Sequence, residues 1–224
     1  HADYSAYVKY KGFNDFRGGG HFSGRITAPL VVAGALCKTY LSKFNITVKS
    51  KILTKDLEES ILRAKKELDS VGGKVEIIID GVKAGVGNPF FDSVESVLSH
   101  LFFSIPGVKG VEFGAGFAFA DMKGSAANDE FYIENGKVYT KTNNSGGING
   151  GITNGMPIVA RLAFRPTSSI AKEQNSIDIS TMENTIIAVK GRHDPCIARR
   201  GAIVAESAAA IGIADLLIRN VENE

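Results

Sequence analysis

Apolar residues gather in two long blocks and several short runs. From Ala28 to Phe44 nearly every early helical face is apolar (Leu30, Val31, Val32, Ala33, Ala35, Leu36), which predicts a buried helix. Thr27 can cap it, and Pro29 falls in the first turn, where a missing N–H costs nothing. Ala202 to Ile218 reads as a second nearly all-apolar helix. Alternation over Ile46 to Leu53, Val111 to Ala120 and Ile158 to Phe164 predicts strands, as do the β-branched runs Val75 to Ile79 and Thr185 to Lys190. Asp56 and Glu59 suit a capping box ahead of an amphipathic helix that Gly72-Gly73 would stop. Phe91 to Phe103 reads as a helix ending before Pro106-Gly107, with His100 in its apolar pattern as a core or interface histidine. Ser125 to Gly155 is polar and rich in Gly and Asn, the pattern of a mobile stretch.

Two buried helices with antiparallel-looking strands predict a single α+β domain over 1–224, in which sheets cover helices. Length and composition agree: 224 residues, 44% hydrophobic, are enough for a sizeable core. A net charge of +2 supplies no long-range field for nucleic acid or anionic lipid, which leaves a small molecule as the expected partner. Cys37 and Cys196 lie far apart with no Cys-x-x-Cys pair, so neither a zinc framework nor any other metal site is expected, and a reducing, cytoplasmic setting is. The apolar blocks are too short to span a membrane or are interrupted by Glu206 and Asp215, and no signal peptide is recognised. Opening on His1 rather than Met suggests a processed, truncated or incomplete chain.

Three stretches carry candidate chemistry. Gly18 to Arg25 leads into a helix N-terminus, where free N–H groups with Ser23 and Arg25 favour a phosphate or carboxylate; taken alone, it reads first as a flexible glycine turn with a capping serine. Arg165-Pro166-Thr167-Ser168-Ser169 follows a strand and joins three hydroxyls to one guanidinium, a set able to hold a terminal phosphate or to form an ordinary polar turn. Around Gly191 to Cys196, the residues Arg192, His193, Asp194, Arg199 and Arg200 crowd an apolar neighbourhood just before the second buried helix. Asp194 there suits a proton acceptor and Arg192 an anion ligand; a structural ion pair is the alternative. A Cys196–His193 nucleophile pair is a further, weaker option.

Taken together, these segments resemble chorismate synthase. The likeness rests on His1 to Tyr4 with Phe16 to Gly20, on Ser23 to Thr27, on Ile105 to Glu112, on Gly146 to Ile152, on Arg165 to Ile170, and on Gly191 to Cys196 with Glu206-Ser207. It covers nearly the whole chain. The resemblance implies a lyase that eliminates phosphate, anti-1,4, from 5-enolpyruvylshikimate 3-phosphate to give chorismate, using reduced FMN without net redox change. It implies flavin contacts from His21, Phe22, Ser23, Gly150, Arg165, Pro166, Thr167, Ser168, Ser169 and Arg192. Pro106 and Gly107 would reach the flavin from a neighbouring subunit. Ser23, Gly24 and Arg25 would face substrate. His1 corresponds to the histidine that assists protonation at the flavin, and Asp194 to the acid that takes a proton from it. A β-α-β sandwich, with helices between antiparallel sheets, and a homotetramer are implied as well.

This sequence departs from the family at several points. The Gly-Glu-Ser-His-Gly motif and its arginine-rich neighbour do not occur in it, so poor turnover by the chain alone is expected. Arg165 stands where many members have Lys, His21-Phe22 where many have Arg-Ser, and Pro106-Gly107 where many have Asn-Ala. Electrons for the flavin would come from an external reductase or from the protein's own oxidation of NADPH, and both stay open. Two other functions compete: a non-catalytic flavin- or phosphate-binding oligomeric module, and a cysteine hydrolase built on Cys196.

Overall fold

Strand alternation produces one principal sheet. In a computed structural model, which describes residues 1–191 and 193–221, the helices are α1 (Asp3–Lys9), α2 (Ala28–Ser42), α3 (Leu57–Lys66), α4 (Val94–Phe103), α5 (Gly124–Ala127) and α6 (Ala198–Val221). The strands are β1 (Thr47–Ile52), β2 (Gly73–Asp80), β3 (Val108–Phe113), β4 (Phe131–Glu134), β5 (Lys137–Thr140), β6 (Ile148–Asn149), β7 (Ile152–Thr153), β8 (Ile158–Phe164), β9 (Gln174–Asp178) and β10 (Glu183–Ile187). Four of them form an antiparallel sheet in the order β1-β2-β8-β3, and β4–β5, β6–β7 and β9–β10 are two-stranded ribbons. The α+β class with antiparallel sheets therefore holds, with the four-stranded sheet on one side of the helices.

Register explains the core. Val75 pairs with Leu162, Ile77 with Ala160 and Ile79 with Ile158, and all six are buried beneath α6. The opposite face carries Glu76 and Glu112 on either side of Arg161, which bonds Glu76 at 2.9 Å and the Gly114 carbonyl at 2.6 Å. Such alternation is what a sheet with one covered face requires. Small residues let α6 approach its neighbours: a Cβ at Gly34 of α2 would lie 2.3 Å from that of Ser207.

Several expectations are corrected. α2 is apolar all round, yet Val32 and Leu36 are 65% and 70% exposed, because in this chain only its Gly34–Leu41 side meets α6 and the sheet. The run from Val111 to Ala120 is not one strand; Gly114 and Gly116, at φ +55° and +56°, turn it into a 3-10 segment. Asp56 makes no capping bond, having adopted a left-handed conformation itself. α3 stops at Lys66, before Gly72-Gly73, in a Schellman closure from Asp69 N to the Ala64 carbonyl with Leu68 left-handed. His100 is exposed in this chain and so is not a core histidine, since the buried stripe of α4 is Val94, Leu98 and Phe102; the interface alternative is untouched by that.

The stretch read as mobile is internally tied. Asp129 is buried and accepts from Thr142 Oγ1 and from the backbone N–H groups of Asn144 and Ser145, at 2.6–2.7 Å. Burial pushes its carboxyl up, but those hydrogen bonds together outweigh that and hold it below the usual range. By length and composition α6 could cross a membrane; however, 67% of its most apolar window is buried inside the protein, as in a core helix.

Candidate functional site

Where β2 begins and β8 ends, four connections meet. Arg165 N donates to the Gly107 carbonyl at 2.8 Å, so the Pro106-Gly107 turn touches the Arg165 loop within one chain and needs no neighbouring subunit to do so. Thr167 Oγ1 donates to the Asp194 carbonyl at 2.6 Å, joining that loop to the segment before α6. Ser70 Oγ donates to the Thr167 carbonyl at 2.6 Å, and Val71 N to the Pro195 carbonyl at 2.8 Å. Gly72 permits this closeness, since a Cβ there would lie 2.5 Å from the Phe164 carbonyl. Asp69 to Gly72 was read from sequence only as the end of a helix. The overlooked signal was a polar, glycine-rich link too short to be a free loop.

Electrostatics in the cluster divide its cations into two groups. The Asp194 carboxylate accepts from Cys196 N at 3.1 Å and lies 3.4 Å from Arg200, with 27% of its side chain exposed. Arg199 pairs with Glu58 at 2.9 Å. The Ser70 N–H, then the Lys172 ammonium at 3.3 Å, hold the Asp69 carboxyl below the usual range. By contrast, the Arg165 guanidinium and the Ser168 and Ser169 hydroxyls make no hydrogen bond or ion pair among the described residues. A free guanidinium beside two free hydroxyls is a donor set for an anion. The Thr167 hydroxyl, in contrast, has its proton committed to the protein, and Pro166 is exposed between them.

Not every candidate joins the cluster. His21 bonds Tyr10 at 3.3 Å and lies 4.0 Å from the Phe22 ring. Ser23 caps Arg25 N at 3.2 Å, and the Gly24 carbonyl accepts from Thr27 at 2.6 Å. This segment is stitched to itself, and no bond or ring contact among the described residues links it, or His1, to Arg165 or Asp194. Gly150 turns a hairpin tied to Pro157 and Val159 at the start of β8, whereas Arg165 follows that strand's other end, about 20 Å along its seven residues. Arg192 lies outside the described residues. Cys196 is 1% exposed, its thiol 3.8 Å from the Gly72 carbonyl, and the Nε2 of His193 has no partner among the described residues; the Cys–His nucleophile pair is therefore not formed. Among the described residues no cluster of three or more His, Cys, Asp or Glu is placed to hold a metal ion. A concavity of about 450 Å³ on the β9–β10 ribbon, lined by Asn175, Ser176, Asn184, Thr185 and Ile186, shares no residue with the cluster.

Comparison with known proteins is consistent along the chain. The family model described as chorismate synthase matches residues 1–55 and 51–218. A chorismate synthase of Chitinophaga pinensis is 50% identical over 221 residues, covering 97% of this chain and 66% of the relative. One of Thermococcus gammatolerans is 44% identical over 247 residues, covering 98% and 69%. A crystal structure of chorismate synthase superposes with a TM-score of 0.79 at 26% identity, over 98% of this chain and 70% of that one. The chain thus spans about two thirds of the length of the relatives it matches. With a family match over residues 1–218 and a shared fold, the chain belongs to the chorismate synthase family.

Proposed function

We propose that this chain serves the reaction of its family, the anti-1,4 elimination of phosphate from 5-enolpyruvylshikimate 3-phosphate to give chorismate, with reduced FMN and no net redox change. The observation that carries the reading is the junction of a carboxylate segment and an anion-binding loop, made by the 2.6 Å bond from Thr167 to the Asp194 carbonyl. The donors present suit a flavin's phosphate tail: Arg165, Ser168 and Ser169 have no protein partner among the described residues and stand on one turn. Reduced flavin, when bound, supplies electron density beside the ring as the carbon–oxygen bond weakens.

The chain's own residues do the rest. Arg165 binds and orients the anion as a planar, permanently charged fork. Asp194, aimed by Cys196 N and Arg200, accepts the proton that the elimination removes. Fixed cations and dipoles placed before the reaction lower the barrier where charge develops. His1, His21 to Arg25 and Gly150 complete the site on assembly of a homotetramer; among the described residues no bond joins them to the cluster within one chain. The reading carries a cytoplasmic location, with NADPH entering only as a source of electrons for the flavin.

An anaerobic assay with reduced FMN and the enolpyruvyl substrate tests it. Asp194→Asn lowers phosphate release by roughly a hundredfold or more while leaving FMN binding intact. Arg165→Ala raises the FMN Kd about tenfold, as loss of a charge-assisted bond does. Unchanged turnover in Asp194→Asn would take the proton-accepting role from Asp194, and FMN binding without any turnover by the unsubstituted protein would leave the non-catalytic binding module.

A further inference from the structure

We propose that Ser70 is a positioning residue, and that the Asp69–Gly72 segment is a clamp setting the distance between the anion-binding loop and the carboxylate of Asp194. The inference rests on the reaction proposed above for its functional consequence, while the clamp itself rests on geometry alone. Ser70 reaches no reacting group; it acts through Thr167.

Two hydroxyls in series form the connection. Ser70 donates to the Thr167 carbonyl, and Thr167 donates through its own side chain to the Asp194 carbonyl, each at 2.6 Å. On either side of Ser70, Leu68 just ahead of the segment and Val71 within it hold both partners independently. Lys172 N donates to the Leu68 carbonyl at 3.1 Å, fixing the far end of the anion loop. Val71 N donates to the Pro195 carbonyl at 2.8 Å, fixing the residue after Asp194. Gly72 closes the segment against Phe164 and Pro166, where any side chain would push the strand end away. Three consecutive residues thus grip both halves of the site.

The arrangement has a chemical purpose. Arg165 and Asp194 stand on separate loops with no bond between their side chains; the loops meet through the Thr167 hydroxyl on the Asp194 carbonyl, and Ser70 fixes the Thr167 backbone from which that bond is made. A displacement of about 1 Å between groups acting on one substrate can cost about a hundredfold in rate. Among the described residues of this cluster, Ser70 alone sends its side chain to the anion loop's backbone.

Ser70→Ala and Ser70→Thr, read beside Thr167→Val and the double variant Ser70→Ala/Thr167→Val, test the clamp. Ser70→Ala is expected to lower kcat about tenfold with KM nearly unchanged, and Ser70→Thr to restore most of it. The double variant is expected to be no worse than the poorer single one, because both changes cut one connection. Without substrate or cofactor, amide exchange in 165–170 and 194–197 of Ser70→Ala is expected to quicken together, with Tm nearly retained. Additive losses in the double variant, or exchange that quickens in one segment only, would overturn the clamp. A wild-type chain that shows the coupled exchange but neither binds FMN nor turns over would sink the reaction and leave the clamp standing.

Discussion

Glu206 is a charge set into a helix of alanines, and three donors account for it. Its carboxylate takes bonds from Ser50 N at 2.8 Å and Ser50 Oγ at 2.7 Å, and pairs with Lys38. Ser50 in turn is the polar residue on the covered face of β1, opposite Ile77, so each polar side chain justifies the other. Burial pushes the Glu206 carboxyl up, but the Lys38 and Ser50 bonds outweigh it and place it below the usual range. A depressed folded value means the stabilisation is complete above the ordinary carboxylate range, near pH 4, and fades as pH falls through the folded value. Glu206→Gln is therefore expected to cost about 2 kcal/mol at pH 7, with its gap from wild type closing on acidification. Chemical denaturation at pH 7 and at pH 3 checks this, and a gap constant with pH would contradict it.

At the level of elements, the decisive contact is the crossing of α2 over α6. Gly34 sits against Ser207 so closely that a Cβ would meet the serine Cβ at 2.3 Å and its Cα at 2.6 Å. Gly34→Ala must then push the helices apart, an overpacking cost of about 1–3 kcal/mol. Ser207→Gly should fail to rescue it, because the Cα remains in the way. Thermal melts of the three variants decide the point: full rescue by the double change would show that side chain, not backbone, sets the distance. The same crossing orients Lys38 toward Glu206, so packing between small residues and a partly buried ion pair are coupled in one place.

For the whole molecule, exposed apolar surface is the notable quantity. Val32 and Leu36 on α2, with Phe13 and Phe16 ahead of it at 92% and 80% exposure, are large apolar side chains that this chain leaves open. That supports the proposed homotetramer, and light scattering in solution is expected to report four times the chain mass of 23.9 kDa. A single chain mass at micromolar concentration would count against it. Much of the fold was legible in order and type: Ile158 to Phe164 was read as the strand it is, because strict alternation has one interpretation when one face is covered. The helices α2, α4 and α6 were readable from apolar runs, whereas β4, β5 and β9 were not, since short exposed ribbons carry no core pattern. At the site, the residue types of the Arg165 loop and Asp194 pointed to anion and proton chemistry before any contact was known. Sequence alone determined which chemical groups the chain could offer and where its helices and central strands run, because both follow from local identity and periodicity. Only the tertiary structure decided that Ser70 joins two distant loops, that Gly150 stands at the other end of the sheet, and that Cys196 is buried, because each depends on strand pairing between residues far apart in the chain.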